Sequence, residues 1–299
     1  MIELFASMPL PPINETTSVN WVRAMVEIVR MYKPPELYGR GIVIPGGGKY
    51  LPSAWVAVRA LRHFGCKLPI QLWHLGENEL PEGIGPAFEK FDVELMNAHE
   101  DPAASLHKRL NGWELKAFAL MRCPWRDVIL LDADNIPLMD ITQLFDEELY
   151  KNRGSIFWPD YGRWSPGHKI WRLAGIEYRD ESEFETGQIV VDRARCWHEL
   201  ALSEWFNFES EFWYSYIHGD KDTFRLAWRA LGTEYGMVAH QPPPGIFFHR
   251  SPSGRPAFVH QTKWEVDPTL NNTHKRVPAV CHEFIAEFAA ELAVLGHYK

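Results

Sequence analysis

Two aspartates one residue apart, Asp132 and Asp134, follow an unbroken apolar run, Val128-Ile129-Leu130-Leu131. A run this short and this rich in branched residues reads as a strand buried on both faces. Carboxylates at the carboxyl end of such a strand cannot be core, because burying an unpaired anion is expensive. They need a cation. Residues i and i+2 share a face in an extended strand and diverge where the chain turns, so both can reach one metal ion. Hard oxygen ligands with no thiol nearby favour Mg²⁺ or Mn²⁺ over zinc. The other reading of the pair is two loop aspartates capping a helix that starts near Asp140.

Two aspartates alone fix an ion poorly, so a third protein ligand is expected from elsewhere. His260 is the candidate, since it closes the apolar run Ala257-Phe258-Val259 and precedes Lys263 and Trp264. A neutral imidazole can ligate Mn²⁺, and the Lys263 ammonium can bind a phosphate oxygen as a point charge. A glycine run, Pro45-Gly46-Gly47-Gly48-Lys49-Tyr50, follows the first apolar stretch, Gly41 to Ile44. It is not a Walker loop, because Val43 stands where the first glycine belongs and Tyr50 where Ser or Thr is needed. Nor is it the dinucleotide fingerprint, because Leu51 replaces the third glycine. Small residues there still let a nucleotide approach the backbone, with a plain tight turn as the alternative. Glu185-Thr186-Gly187-Gln188 before a strand, and Gly219-Asp220-Lys221-Asp222 before a helix, are further polar clusters where substrate hydroxyls could be gripped. Helix capping by Asp220 and a dipole contact by Asp222 would explain the second cluster without a substrate.

Strands alternating with helices must position these groups. Residues 18 to 33 keep helical spacing through Trp21, Met25, Ile28, Val29 and Tyr32, with Ser18 as cap and Lys33-Pro34-Pro35 as stop. Gly41 to Ile44, Leu68 to Leu75, Val93 to Met96 and the run ending at Asp132 read as strands, with helices at 54–64 and 113–121 between them. Trp158 to Gly167 reads as aromatic, irregular loop, then Gln188 to Asp192 as a strand and 194–205 and 224–231 as helices. Gln241-Pro242-Pro243-Pro244-Gly245 is a break. A helix over 278–295 buries Phe284, Ile285, Phe288 and Leu292 and stops at Gly296. The alternation predicts an α/β protein with a mostly parallel central sheet and ligands at the strands' carboxyl ends.

Composition narrows the function classes. The chain has 299 residues, 46% apolar and 23% charged, which suits a soluble globular protein. No linker divides it, so residues 1–299 are expected to form a single domain, with one half at 39–145, a second at 146–277 and a C-terminal helix at 278–299. The net charge of −8 and the lack of a Lys/Arg run disfavour nucleic acid or an anionic membrane as partner. Thirteen tryptophans offer flat apolar faces that suit sugar rings or a large core. Cys66, Cys123, Cys196 and Cys281 lie far apart and are expected as reduced thiols. Residues 1–12 lack a basic head and a long apolar run, and no stretch reaches membrane-spanning length, so no integral membrane segment and cytoplasmic residence are expected. Asn14-Glu15-Thr16 and Asn271-Asn272-Thr273 match the glycosylation sequon at about the frequency chance allows.

Taken together, five segments resemble the metal-dependent glycosyltransferases of GT-A fold. They are Gly39-Arg40-Gly41-Ile42-Val43-Ile44 with its glycine run, Leu115-Lys116-Ala117-Phe118-Ala119, Leu131-Asp132-Ala133-Asp134-Asn135-Ile136-Pro137, Glu185-Thr186-Gly187-Gln188 and Gly219-Asp220-Lys221-Asp222-Thr223. The order and content are most similar to the fungal α-mannosyltransferase family, and more distantly to the retaining glycogenin-like family. The resemblance implies that Asp132, Asp134 and His260 bind Mn²⁺ or Mg²⁺. It implies that 39–145 is the nucleotide-binding half and 146–277 the donor-sugar and acceptor half, that Pro45 to Tyr50 hold the base, and that Lys116, Asp132, Ala133 and Lys263 bind the donor. Glu185, Gln188 and Asp222 would hold the donor sugar at the reacting carbon. The implied activity is transfer of a hexose, with mannose from GDP-mannose favoured over a UDP-hexose, to a hydroxyl acceptor such as a glycan, with retention at the anomeric carbon. Two other classes fit the residues. An aspartate-nucleophile phosphatase would use Asp132 as nucleophile and Asp134 as acid/base. A non-catalytic sugar- or nucleotide-binding protein would use the tryptophan-rich loops.

Overall fold

The computed structural model describes residues 11–243, 247–260, 262–271 and 276–297. Pro244 and Gly245 of the proline-rich break, Gln261, and the Asn272-Thr273 part of the second sequon lie outside them. The chain forms three layers. A seven-stranded sheet runs β3-β2-β1-β4-β7-β6-β8, built from β1 (Tyr38–Pro45), β2 (Ile70–His74), β3 (Val93–Asn97), β4 (Trp125–Leu131), β6 (Ser155–Pro159), β7 (Phe184–Asp192) and β8 (Gly236–Met237). Side chains alternate across it with the strand period of two. Val43, Val128 and Leu130 face a layer made by α1 (Ser18–Met31), α4 (Glu114–Arg122), α7 (Trp197–Phe208) and α9 (Lys221–Leu231). Ile42, Ile44, Ile129 and Leu131 face α2 (Leu51–His63) and α10 (Cys281–Val294). Both faces are covered, which is why the central strands are apolar without interruption.

Two features of the topology make the site. Strands β1 to β3 progress to one side and β4 returns to the other side of β1, so a crevice opens where the carboxyl ends of β1 and β4 diverge. The second feature is the reversal of β7, which pairs antiparallel with both β4 and β6, with Gln188 opposite Leu131. Its amino end therefore lies against the carboxyl end of β4. A small antiparallel sheet, β5 (Ile136–Pro137), β10 (Pro256–Val259) and β9 (Phe248–Arg250), is set beside this corner, with Val259 opposite Ile136.

Some local expectations give way. Glu185, Thr186 and Gly187 lie inside β7, not before it, and Trp158 and Pro159 end β6 instead of opening a loop. Ser18 does not cap α1. It is the buried first residue of the helix, and the preceding turn is organised by Asn14, whose Oδ1 accepts from the Thr16 N–H at 2.9 Å. Tyr32 falls outside α1 and is exposed. Asp140, and neither Asp132 nor Asp134, caps the following 3₁₀ turn, accepting from Thr142 N at 3.0 Å. Trp55, Trp158, Trp205, Trp213, Trp228 and Trp264 are fully buried, so most of the indole content is core. The four cysteines are buried and unpaired. Among the described residues no helix is long and apolar enough to cross a membrane.

His107 links the α4–α7 layer to acid stability. Its ring meets Phe118 and Phe208 edge-on at 5.4 Å each, and neither ring nitrogen has a hydrogen-bond partner among the described residues. Burial, aided by Arg122, lowers its pKa from 6.5 to about 4. Between those values the unfolded chain binds the extra proton, so this stability is present above pH 6.5 and is lost as pH falls toward 4. The loss approaches about 3 kcal/mol. In urea unfolding at pH 7 and pH 4.5, His107→Phe is expected to lose less stability on acidification than the wild type; equal losses would refute the assignment.

Candidate active site

A cavity of about 570 Å³ opens at the crevice between β1 and β4. The glycine run lines one part of it, through Pro45, Gly46, Gly47, Lys49 and Tyr50. A Cβ on Gly46 would lie 3.0 Å from the Ala133 methyl and 3.1 Å from that of Ala54. The absent side chain lets the end of β1 pass close beside the turn that carries both aspartates.

That turn follows β4 directly. The Asp132 N–H donates to Gly187 O at 2.8 Å and Asn135 N–H to Asp132 O at 3.0 Å. Asp132 Oδ2 accepts from Lys116 Nζ at 2.8 Å and lies 3.7 Å from His260 Nε2. Asp132 Oδ1 is buried and has no hydrogen-bond partner among the described residues. Asp134 Oδ1 stands 3.2 Å from the same His260 nitrogen. Pairing of β10 with β5 delivers His260 to this corner. The contact is secured by Thr262, whose N–H and Oγ1 donate to Asp134 O at 3.0 and 2.9 Å. One ligand atom each from Asp132, Asp134 and His260 fall within 4.8 Å of one another.

The Glu185–Gln188 segment backs this cluster. Glu185 Oε1 accepts from Gly187 N–H at 2.7 Å and lies 3.2 Å from His260 Nδ1. Thr186 Oγ1 donates to Asp220 Oδ2 at 3.0 Å. Gly187 O accepts from Asp132 N–H and from the Asn135 amide at 2.8 Å each. A Cβ on Gly187 would sit 2.4 Å from His260 Cε1, so only glycine leaves room for the ring. The Asn135 amide also donates to Gln188 Oε1.

Charge is concentrated here. Lys116 lies between Asp132 and Asp220, the latter 3.4 Å away; burial opposes its charge, but these carboxylates raise its pKa and keep it an ammonium. Lys221 pairs with Asp160 and with Glu183, the latter at 2.8 Å. Burial pushes the Asp132 carboxyl up to about 6 against the pull of Lys116 and His260. The same burial at Asp134 and Glu185 is outweighed, mainly by His260, which holds Asp134 below its usual range and Glu185 at about 2. His260 in turn is raised well above an ordinary imidazole, because Glu185 and Asp134 outweigh its burial. Without a metal, an imidazolium balances the acids. One carboxylate oxygen each from Asp132 and Asp134, with Asp132 Oδ1 buried and unpaired among the described residues, and one imidazole nitrogen form a donor set that fits Mn²⁺ or Mg²⁺. Binding such an ion would release the His260 proton.

Of the residues singled out in the sequence, Pro45, Gly46, Gly47, Lys49, Tyr50, Lys116, Asp132, Ala133, Asp134, Glu185 and His260 line the cavity. Four do not. Gly48 faces Glu79 outside the lining. Lys263 lies outside the lining, extends into solvent and pairs with Glu265 at 2.9 Å. Gln188 is wholly buried behind Asn135. Asp222 is wholly buried beside Arg225 at 2.9 Å, where burial pushes its carboxyl up to about 7 in spite of the guanidinium. The first turn of α9 points Asp222 into the protein and Asp220 toward the cavity, and Asp220 makes no side-chain cap. Asp220 was legible as a motif member but assigned to the helix end. Thr186, Asp160, Lys221, Glu79, Trp113 and His218 also line the cavity. The Glu185 and Gly219 segments flagged some of these; nothing local marked Asp160, Glu79 or His218.

Residues 39–183 and 175–244 match the model of the mannosyltransferase family Mannosyl_trans3. The α-1,2-mannosyltransferase MNN2 of Saccharomyces cerevisiae is 25% identical over 287 residues, covering 79% of this chain and 48% of the relative. The α-1,2-mannosyltransferase MNN23 of Candida albicans is 28% identical over 270 residues, covering 72% and 44%. The chain thus spans about half the length of the curated relatives it matches. An active-site mutant of the galactosyltransferase LgtC superposes with a TM-score of 0.51 at 15% identity, over 85% of this chain and 95% of that one. The architecture is the GT-A fold, which sets aside the phosphatase reading, and the chain belongs to the mannosyltransferase family.

Proposed function

We propose that the protein transfers a mannosyl group from a nucleoside diphosphate sugar, GDP-mannose in preference to a UDP-hexose, to a hydroxyl of a glycan acceptor. One observation carries the reading. Donor atoms of Asp132, Asp134 and His260 converge at the carboxyl end of β4, in a cavity whose adjoining wall is a glycine loop. The names of the curated relatives support mannose as the sugar.

Asp132, Asp134 and His260 would hold Mn²⁺ or Mg²⁺, whose charge offsets that of a departing diphosphate. The other tasks belong to the chain. The glycine loop leaves the backbone open to the nucleotide, and the half-exposed Tyr50 ring offers a face for the base. Lys116, fixed and charged, supplies a permanent cation beside the leaving phosphate. Asp160, Asp220 and Lys221 present acceptors and a donor to sugar hydroxyls. Their net negative field favours the positive charge that develops at an anomeric carbon as its bond to phosphate breaks. We assign the retaining course, in which the acceptor hydroxyl attacks on the face the diphosphate leaves and the departing phosphate takes the proton. No side chain is assigned as base.

Two measurements test the reading. GDP is expected to raise the melting temperature only with Mn²⁺ present, and Asp134→Ala is expected to abolish that shift while leaving the unliganded melting temperature within a few degrees. Metal-dependent nucleotide affinity retained in that variant would defeat the assignment. In steady-state assays of GDP-mannose turnover, Asp220→Asn keeps an acceptor for Thr186 but loses its charge. Its kcat should fall about 100-fold while GDP affinity changes by less than about threefold, because the loss is confined to the transition state.

A further inference from the structure

Glu185 reaches the cavity but is committed elsewhere. Its Oε1 accepts from Gly187 N–H and stands 3.2 Å from His260 Nδ1, on the far side of the ring from Asp134. A neutral imidazole offers one donor and one acceptor nitrogen. A carboxylate at Nδ1 fixes the proton there, which leaves the Nε2 lone pair directed at Asp132 and Asp134. We propose that Glu185 is a positioning residue for His260: it sets the tautomer and orientation of the imidazole so that Nε2 serves as third ligand of a divalent cation. This rests on the metal site proposed above.

Three features of the surroundings support it. The carboxylate is itself fixed, because Glu185 lies in the body of β7 and its oxygen is tied to the backbone two residues on. The ring is fixed on its flat side by Gly187, where any Cβ would overlap it. Its main-chain N–H is held by Phe247 O at 2.8 Å. Glu185 and Gly187 thus act on one imidazole from two directions.

A rival use of Glu185 exists on the same atoms. Glu185, buried His249 and His260 also bring ligand atoms within 4.8 Å of one another, and neither ring nitrogen of His249 has a hydrogen-bond partner among the described residues. A second ion there would need His260 to ligate through both nitrogens at once, as an imidazolate. A neutral ring that keeps its Nδ1 proton for Glu185 cannot do this.

The test is a calorimetric Mn²⁺ titration of the full chain without nucleotide, with electron spin-echo detection of ¹⁴N coupling to the bound ion. Wild type should bind one ion with a histidine nitrogen signature. Glu185→Ala should weaken binding about 10–100-fold and diminish that signature. Glu185→Gln, whose amide oxygen can keep the Gly187 N–H contact and the place beside Nδ1, should recover most of the affinity. Gly187→Ala should weaken binding by displacing the ring with Glu185 intact. Wild-type Mn²⁺ affinity in Glu185→Ala, with turnover lost, would overturn the proposal and assign Glu185 to the sugar. Two ions in the wild type and one in Glu185→Ala would overturn it in favour of the second site. A wild type that takes up no Mn²⁺ removes the metal reading itself.

Discussion

Carboxylates crowd the crevice at the end of β4, and the structure around them keeps that charge available. Asp132, Asp134, Glu185, Asp160 and Asp220 all face one cavity. Unbalanced, such a cluster would take up protons or force the corner open. Lys116 and Lys221 answer part of the charge from α4 and α9, and His260 answers more. Among the described residues, one buried oxygen of Asp132 is left without a hydrogen-bond partner, beside the imidazole of His260. In a chain of net charge −8, Lys116 and Lys221 place fixed cations at the cavity, where they act locally against the field of the whole protein.

Strand direction makes this possible. Had β7 run parallel to β4, its amino end would lie at the opposite edge of the sheet, and Glu185, Thr186 and Gly187 would be far from Asp132. Reversed, it places a backbone carbonyl on the Asp132 N–H and a carboxylate behind His260. The small sheet does the complementary task, since two residues of β5 are enough to register β10 and fix His260. Asp132 and His260 each follow a strand directly and keep a backbone hydrogen bond to a neighbouring segment, and the turn at Asp134 is tied by Thr262. Rigid elements position a binding constellation more closely than loops do.

Stability is supplied away from the chemistry. Trp113 overhangs Gly219 at the rim and Tyr50 and Phe247 line the cavity, whereas the fully buried indoles pack the two helical layers. Arg225 packs over Trp164 at 3.7 Å and stands beside Asp222, so the inward face of α9 is a buried charged pair while its outer first turn meets the cavity. One helix end therefore carries two aspartates with opposite fates, separated by the rotation over two residues, about 200° on an α-helix.

The sequence by itself determined the α/β alternation, the apolar strand that stops at two acids, the glycine loop and the histidine that closes the last strand. Each is a local signal: an unbroken branched run, a carboxylate no core could hold, a histidine closing a strand. Tertiary structure alone decided which neighbours those groups meet. Strand direction leaves no mark on an all-buried strand such as β7, so Glu185 and Gly187 read as residues before a strand, and their hold on His260 was invisible. Helical phase at the start of α9 likewise turned Asp222 inward and Asp220 outward, against the cap assignment. Lys263 shows the limit from the other side, because nearness in sequence to His260 did not bring its flexible side chain to the cavity. Composition and pattern fix what must be buried and what must find a partner; the partner itself is chosen by pairing between segments far apart in the chain, because only the folded sheet sets their distance and direction.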